Sequence, residues 1–235
     1  MPEEREDLSG GESAAPGSVV GRRLTRESYG LILALISVSF VFGIAAADKS
    51  WAPFPYFLLQ AGTLVLALRA SEAGRRAWRW ATLLLLLMTA GVIISAFFSG
   101  AETDRGMTAL ASAALVLITL LAIGRQLLLN PEVTGHTVKG ALCVYLLLGL
   151  FFAFFNQFIG AFDSGPFFAD EGDGTASDYL YFSYVTLTTV GFGDLVVISD
   201  SGRAFTVVEA IIGQLYLVTV VGFIVGNFAG RDGRR

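Results

Sequence analysis

Tyr181-Phe-Ser-Tyr-Val-Thr-Leu-Thr-Thr-Val-Gly-Phe-Gly-Asp194 is the stretch from which the rest of this chain is read. Its first half lies in a stretch from about Ser177 to Leu187 that reads as a short helix; its second half, Thr188 to Asp194, alternates glycine with larger residues. In an ordinary strand successive carbonyls point to opposite sides. Turning them all to one side requires residues that accept unusual backbone angles, and Gly191 and Gly193 supply that freedom. Thr189 adds a hydroxyl oxygen at one end of the row. A Gly-x-Gly alone is equally the mark of a plain turn between helices, so its surroundings decide.

Those surroundings are apolar. With 54% hydrophobic and 15% charged residues and a mean hydropathy of +0.65, the 235-residue chain is too apolar for a soluble domain and reads as a multi-span membrane protein. At about 20 residues per spanning helix, six candidates appear: Tyr29 to Ala47, Phe54 to Ala70, Trp78 to Phe98, Met107 to Leu129, Thr137 to Phe162 and Gly202 to Phe228. Pro53 and Pro55 crowd the start of the second, where a kinked or tilted helix is expected. The quoted stretch falls between the fifth and sixth, where it would enter the membrane and return. Non-helical backbone is tolerated at that depth only where it lines a pore or is buried in protein.

Threading the six spans places Arg5, Arg22, Arg23, Arg26, Arg69, Arg75, Arg76, Arg79, Arg125, Lys139, Arg231, Arg234 and Arg235 on one side, and only Lys49, Arg105 and Arg203 on the other. By the positive-inside rule both termini are cytoplasmic and the loop enters from outside. Residues 1-25, rich in Glu, Gly, Ser and Arg, read as a disordered cytoplasmic segment without a secretory signal. Residues 26-130 read as a four-helix transmembrane unit, 131-229 as an outer helix, short helix, loop and inner helix, and 230-235 as a short tail with no room for a cytoplasmic sensing domain.

The segment from Tyr181 to Asp194 resembles, over its whole length, the pore helix and selectivity filter of potassium channels, most closely two-pore-domain channels and their bacterial relatives. The resemblance extends from about Tyr179 to Val225, faintly into the fifth span, and scarcely into the first four. It implies an all-α membrane protein in which six transmembrane helices, with the pore helix and filter re-entering between helices 5 and 6, assemble as a fourfold homotetramer. Backbone oxygens of Thr189, Val190, Gly191 and Phe192, with Gly193 completing the lining, would replace the hydration shell of K+. Asp194 would lie at the outer mouth, tied to Tyr181, with Thr188 in support. The carboxyl end of the pore helix would offer the negative end of its dipole to a cation. Two departures bear on filter stability: Phe192 stands where Tyr is commoner, and Val185 where some bacterial relatives carry Glu.

In the sixth span Gly213 matches the inner-helix gating glycine, and close helix packing is an equally good reading of it. Gln214, Leu217 and Val221 share a helical stripe and match cavity-lining positions. Glu209 is an intramembrane carboxylate and therefore a functional candidate. It is expected to bond the hydroxyl of Thr186 or Thr188 and brace the filter from behind, with a proton-sensing role as the less favoured alternative. His136, the lone histidine, falls in a cytoplasmic loop, and Asp163, Asp170, Glu171, Asp173, Asp178 and Asp200 read as a solvated outer rim.

Other classes fit less well. One His, one Cys and no intramembrane carboxylate pair leave no metal cluster or nucleophile-base set of the usual types, so an enzyme is not expected, nor a cofactor beyond the permeant ion. Cys143 stands alone, which excludes an intramolecular disulfide. The net charge of -4 is no sign of nucleic-acid binding; self, lipid and K+ are the expected partners, at the plasma membrane. The fourth span carries only Arg125, near its cytoplasmic end, which is too little charge for a voltage sensor. A non-selective cation channel and a non-conducting membrane sensor are the alternatives.

Overall fold

The computed structural model describes residues 17–46, 53–70, 79, 82–83, 101–129, 135–169, 174–224 and 226. The expected third span, Trp78 to Phe98, lies almost wholly outside them. The described elements are α1 (Gly17–Ala45), α2 (Pro53–Ala70), α3 (Ala101–Leu129), α4 (Gly135–Phe162), α5 (Ala176–Leu187) and α6 (Asp200–Tyr216), the last running on into a π-helical turn at Leu217–Val221. Among the described residues three helical stretches are long and apolar enough to cross a membrane: Arg105–Leu129, Thr137–Phe162 and Asp200–Ile224. Tyr29–Ala45 and Leu58–Arg69 are shorter apolar helices.

Residues 17–25 are the opening turns of α1; extending an existing helix fixes one residue per hydrogen bond gained and avoids a new nucleus. The second helix runs without interruption from Pro53 to Ala70, and Pro53 and Pro55 fall in its first turn, where a missing N–H leaves no bond unmade.

α3 and α4 pack antiparallel along their length. Gly106 lies against Phe162 at one end and Gly140 against Leu127 at the other. The core between them and α1 follows helical periodicity: Tyr29, Ile32 and Ile36 from α1, Val116 and Ile123 from α3, and Cys143, Leu147 and Leu150 from α4 are all buried, with Ala67 of α2 and Leu180 of α5. A second cluster of Ile159, Phe167, Phe168, Tyr179, Phe182 and Val197 gathers where α4, the loop after it and α5 meet. Here Phe168 and Val197 form an antiparallel bridge, extended by Ala169 N–H to Val196 O at 3.0 Å and Ile198 N–H to Phe167 O at 3.0 Å. This clasp ties the segment before α5 to the segment before α6, so both flanks of the Thr188–Asp194 loop are fixed.

α6 is different. Its buried residues are Gly202, Glu209 and Gly213, and only 17% of its spanning window is buried within the chain, against 61% for α4. Val207, Ile211, Leu215 and Val218 stand between 53% and 66% exposed, so an apolar side of this helix is left uncovered by its own chain.

Candidate ion-conduction site

α5 is built to stop where it does. Thr175 and Asp178 form a capping box: Asp178 N–H bonds Thr175 Oγ1, and Thr175 N–H bonds Asp178 Oδ2 at 2.6 Å. Both satisfy amides that an N-terminus otherwise leaves bare. At the other end Thr188 Oγ1 donates to Tyr184 O at 2.6 Å, which occupies the hydroxyl expected to meet Glu209.

Beyond Thr188 the backbone alternates in hand. Thr189, Gly191 and Gly193 have φ of 60°, 57° and 77°, while Val190 and Phe192 between them do not. For a β-branched residue such as Thr189 that conformation is strained, by roughly 1–3 kcal/mol where it occurs. The amides of Thr189 and Val190 turn back onto the end of α5, reaching Thr186 O at 2.9 Å and Val185 O at 3.0 Å, and Gly191 N–H follows at 3.4 Å. A backbone that alternates in hand can set successive amides on one face and leave successive carbonyls free to turn to the other. Every residue from Thr188 to Asp194 is exposed within the chain.

The outer end of the loop is anchored by Tyr181, whose hydroxyl donates to Asp194 Oδ2 at 2.7 Å. That bond, with amide donation from Leu195, holds the Asp194 carboxyl below its ordinary value. The Phe192 ring lies parallel to Tyr181, centroids 6.5 Å apart, so it keeps a stacking contact where a tyrosine hydroxyl is absent.

Behind the loop, Glu209 is fully buried. Its partners are not Thr186 or Thr188: Oε1 meets Ser183 Oγ, and Oε2 accepts from Asn156 Nδ2 at 3.2 Å. The acid therefore meets α5 about a turn earlier than expected, since Gly213, one turn further along α6, already sits on Leu187. A Cβ on Gly213 would lie 2.6 Å from Leu187 O and 2.8 Å from Leu187 Cδ1. Gly213 thus packs closely against the end of α5. Gln214 and Leu217 face away, exposed, and Val221 is half-buried; the π-helical turn from Leu217 to Val221 interrupts the regular stripe on which the three were placed.

Several residues of the site escaped the sequence reading. Asn156 and Ser183 bind Glu209, Tyr145 Oη donates to Leu187 O at 3.3 Å, and Asp163 binds the hydroxyls of both Ser199 and Ser201, joining the end of α4 to the start of α6. Asn156 had a legible signal, an amide in the run Phe154-Phe155-Asn156-Gln157-Phe158, where a polar group in a spanning helix needs a partner. Among the described residues no cluster of His, Cys, Asp or Glu is arranged to hold a metal ion.

An outer helix, a short capped helix ending in a loop of alternating hand, and a second spanning helix packed behind it define a pore-loop ion-channel module. Residues 140–229 match a family described as ion channel. The Caenorhabditis elegans "Potassium voltage-gated channel protein shk-1" is 34% identical over 102 residues, covering 41% of this chain and 18% of that protein. The human "Potassium voltage-gated channel subfamily A member 4" is 32% identical over 102 residues, covering 41% of this chain and 15% of that protein. Over residues 140–229 the chain is similar to this ion-channel family, and the relatives it matches there are potassium channels by name. It spans less than a fifth of the length of these relatives.

Proposed function

We propose that this protein is a potassium-selective channel that conducts K+ passively through a filter of backbone oxygens from Thr189, Val190, Gly191 and Phe192, four copies surrounding one axis in the plasma membrane. The observation that carries this reading is the alternating hand of the loop together with amides bonded back to α5. Such a segment can present its unbonded oxygens on one side, which is what a dehydrated cation requires. A single loop supplies one wall, and the exposed loop and uncovered apolar side of α6 are the surfaces that further copies would cover. Asp194 and Tyr181 hold the outer end, Thr188 the inner, and Glu209 fixes α6 behind the pore helix. Gating is assigned to the filter or to a leak-like open pore, because α3 carries Arg105 and Arg125 near its two ends and no ladder of cations between them. The cations at the ends of the helices support cytoplasmic termini.

Reconstitution in liposomes with asymmetric K+ and Na+ tests this directly. A reversal potential near that of K+, lost in Gly191→Ala, is the expected result. Equal permeability to both ions would assign the chain to non-selective cation channels, and absence of flux from correctly assembled protein would assign it to non-conducting sensors.

A further inference from the structure

Glu209 sits at the junction of three elements: Ser183 on α5, Asn156 and the Gly149 carbonyl on α4, and its own helix α6. Counting protons at this junction is informative. The Ser183 hydroxyl has a single hydrogen, yet its oxygen lies against two groups, Gly149 O at 2.7 Å and Glu209 Oε1. A backbone carbonyl can only accept, and so can an ionised carboxylate. If Glu209 were charged, one of the two approaches would bring two oxygens together with no hydrogen between them. If Glu209 carries a proton, its O–H donates to Ser183 Oγ, Ser183 donates to Gly149 O, and each contact has its hydrogen. Glu209 Oε2 keeps the Asn156 amide donor in either case.

The surroundings offer an anion nothing more. No Lys, Arg or His pairs with Glu209 among the described residues, and no second carboxylate shares the site. Of the phenols on the helices packed around it, Tyr184 bonds Leu146 O, Tyr145 bonds Leu187 O, Tyr216 bonds Ala141 O and Tyr181 bonds Asp194. A fully buried carboxylate without a counter-charge is strongly unfavourable. Asn156 Oδ1, also buried, has no donor.

We infer that Glu209 is a proton-binding site: in the conducting protein it is held as a neutral carboxylic acid that relays a hydrogen bond through Ser183 to Gly149, and removal of that proton leaves one of the two Ser183 contacts without a hydrogen and loosens the junction of α4, α5 and α6. This deepens the proposed conduction reading and rests on it for its functional consequence. Asn156 and Ser183 are positioning residues, holding the acid rather than touching the ion. Because the native state holds a proton that the unfolded chain releases at neutral pH, the junction weakens as pH rises. The conducting state is therefore lost on the alkaline side.

Infrared difference spectroscopy of the full-length reconstituted protein, wild type against Glu209→Gln, reads the proton directly, and potassium flux across a pH series reads its consequence. The expected result is a protonated-carboxyl carbonyl band at neutral pH that is missing from Glu209→Gln and disappears on alkalinisation together with flux. Glu209→Gln, which keeps a donor for Ser183 without a titratable proton, should conduct across the whole series. Ser183→Ala should keep the band and shift it to higher frequency, because the acid loses its acceptor; this variant serves if Glu209→Gln fails to fold. A carboxylate band from Glu209 at neutral pH, or an unchanged pH dependence of flux in Glu209→Gln, would overturn the inference. If no variant conducts while the band behaves as described, the conduction reading fails and the proton site stands.

Discussion

Replacing Gly213 by alanine tests how α6 is seated on the pore helix. The added Cβ would lie 2.6 Å from Leu187 O, 2.8 Å from Leu187 Cδ1 and 3.2 Å from Leu187 Cα. Leu187 Cδ1 can rotate away, but the carbonyl cannot, because it ends α5 and accepts the Tyr145 hydroxyl. Restoring an ordinary carbon–oxygen contact of about 3.3 Å moves α6 outward by roughly 0.7 Å. Overpacking of that kind destabilises by about 1–3 kcal/mol, offset by up to ~1 kcal/mol from the better helix propensity of alanine. Gly62→Ala in α2, where a Cβ meets nothing within 4 Å, gains the propensity without the clash and is the matched control. Thermal unfolding midpoints of the two variants in detergent, with K+ flux and K+/Na+ reversal potential of each, complete the comparison. The expected outcome is a lowered midpoint and reduced flux for Gly213→Ala, with Gly62→Ala at or above wild type. Equal midpoints for both variants would refute the close-contact reasoning, and altered opening at undiminished stability would restore the hinge reading of Gly213.

Three further outcomes are expected. Tyr181→Phe removes the 2.7 Å bond to Asp194 and should accelerate the decline of current during sustained recording while leaving K+/Na+ selectivity intact; unchanged kinetics would show that the bond does not support the loop. Asp163 is held below the usual carboxylate range by the hydroxyls of Ser199 and Ser201 and the amide of Ser164. Its ionised form stabilises the clasp above the ordinary carboxylate value, and that contribution is lost as pH falls through its depressed value. Asp163→Asn should therefore flatten the acid limb of a melting-temperature series, and an identical limb would count against it. Arg125→Gln should leave the steepness of the conductance–voltage curve unchanged, since one charge near a helix end moves little through the field, about 2.3 kcal/mol per 100 mV even for a full crossing; a shallower curve would show that α3 senses voltage.

The parts of this fold that were legible in the sequence are those where a local signal suffices. Apolar run length located the fifth span, expected from Thr137 and observed from Gly135 to Phe162, and the likeness of the segment to a pore helix located the short helix before the loop, expected from Ser177 and observed from Ala176. Paired glycines marked the loop, but its positive φ at Thr189 had no signal, since nothing in a threonine announces a strained backbone. Glu209 was conspicuous as an acid among apolar residues, whereas its partners were misassigned, because a crossing between helices is set by contacts such as Gly213 on Leu187 that periodicity within one helix does not encode. Asp163 with Ser199 and Ser201 was invisible for a similar reason: the residues lie 36 and 38 positions apart and meet only in the folded chain, beside the Phe168–Val197 bridge.

The π-helical turn at Leu217–Val221 has a mechanical implication. Such a turn accommodates one residue more than its α-helical counterpart, and in an α-helix each residue advances the azimuth by about 100°. Ile224, just past it, is buried against Ala141 with Val138 and Val220 alongside. Converting this turn to α-helix without removing a residue would swing everything downstream through about that angle, pointing Ile224 off its seat and bringing a different side round. The inner end of this helix is thus aimed by a surplus residue, a vernier on which its lower half can be re-indexed while the upper half stays clamped.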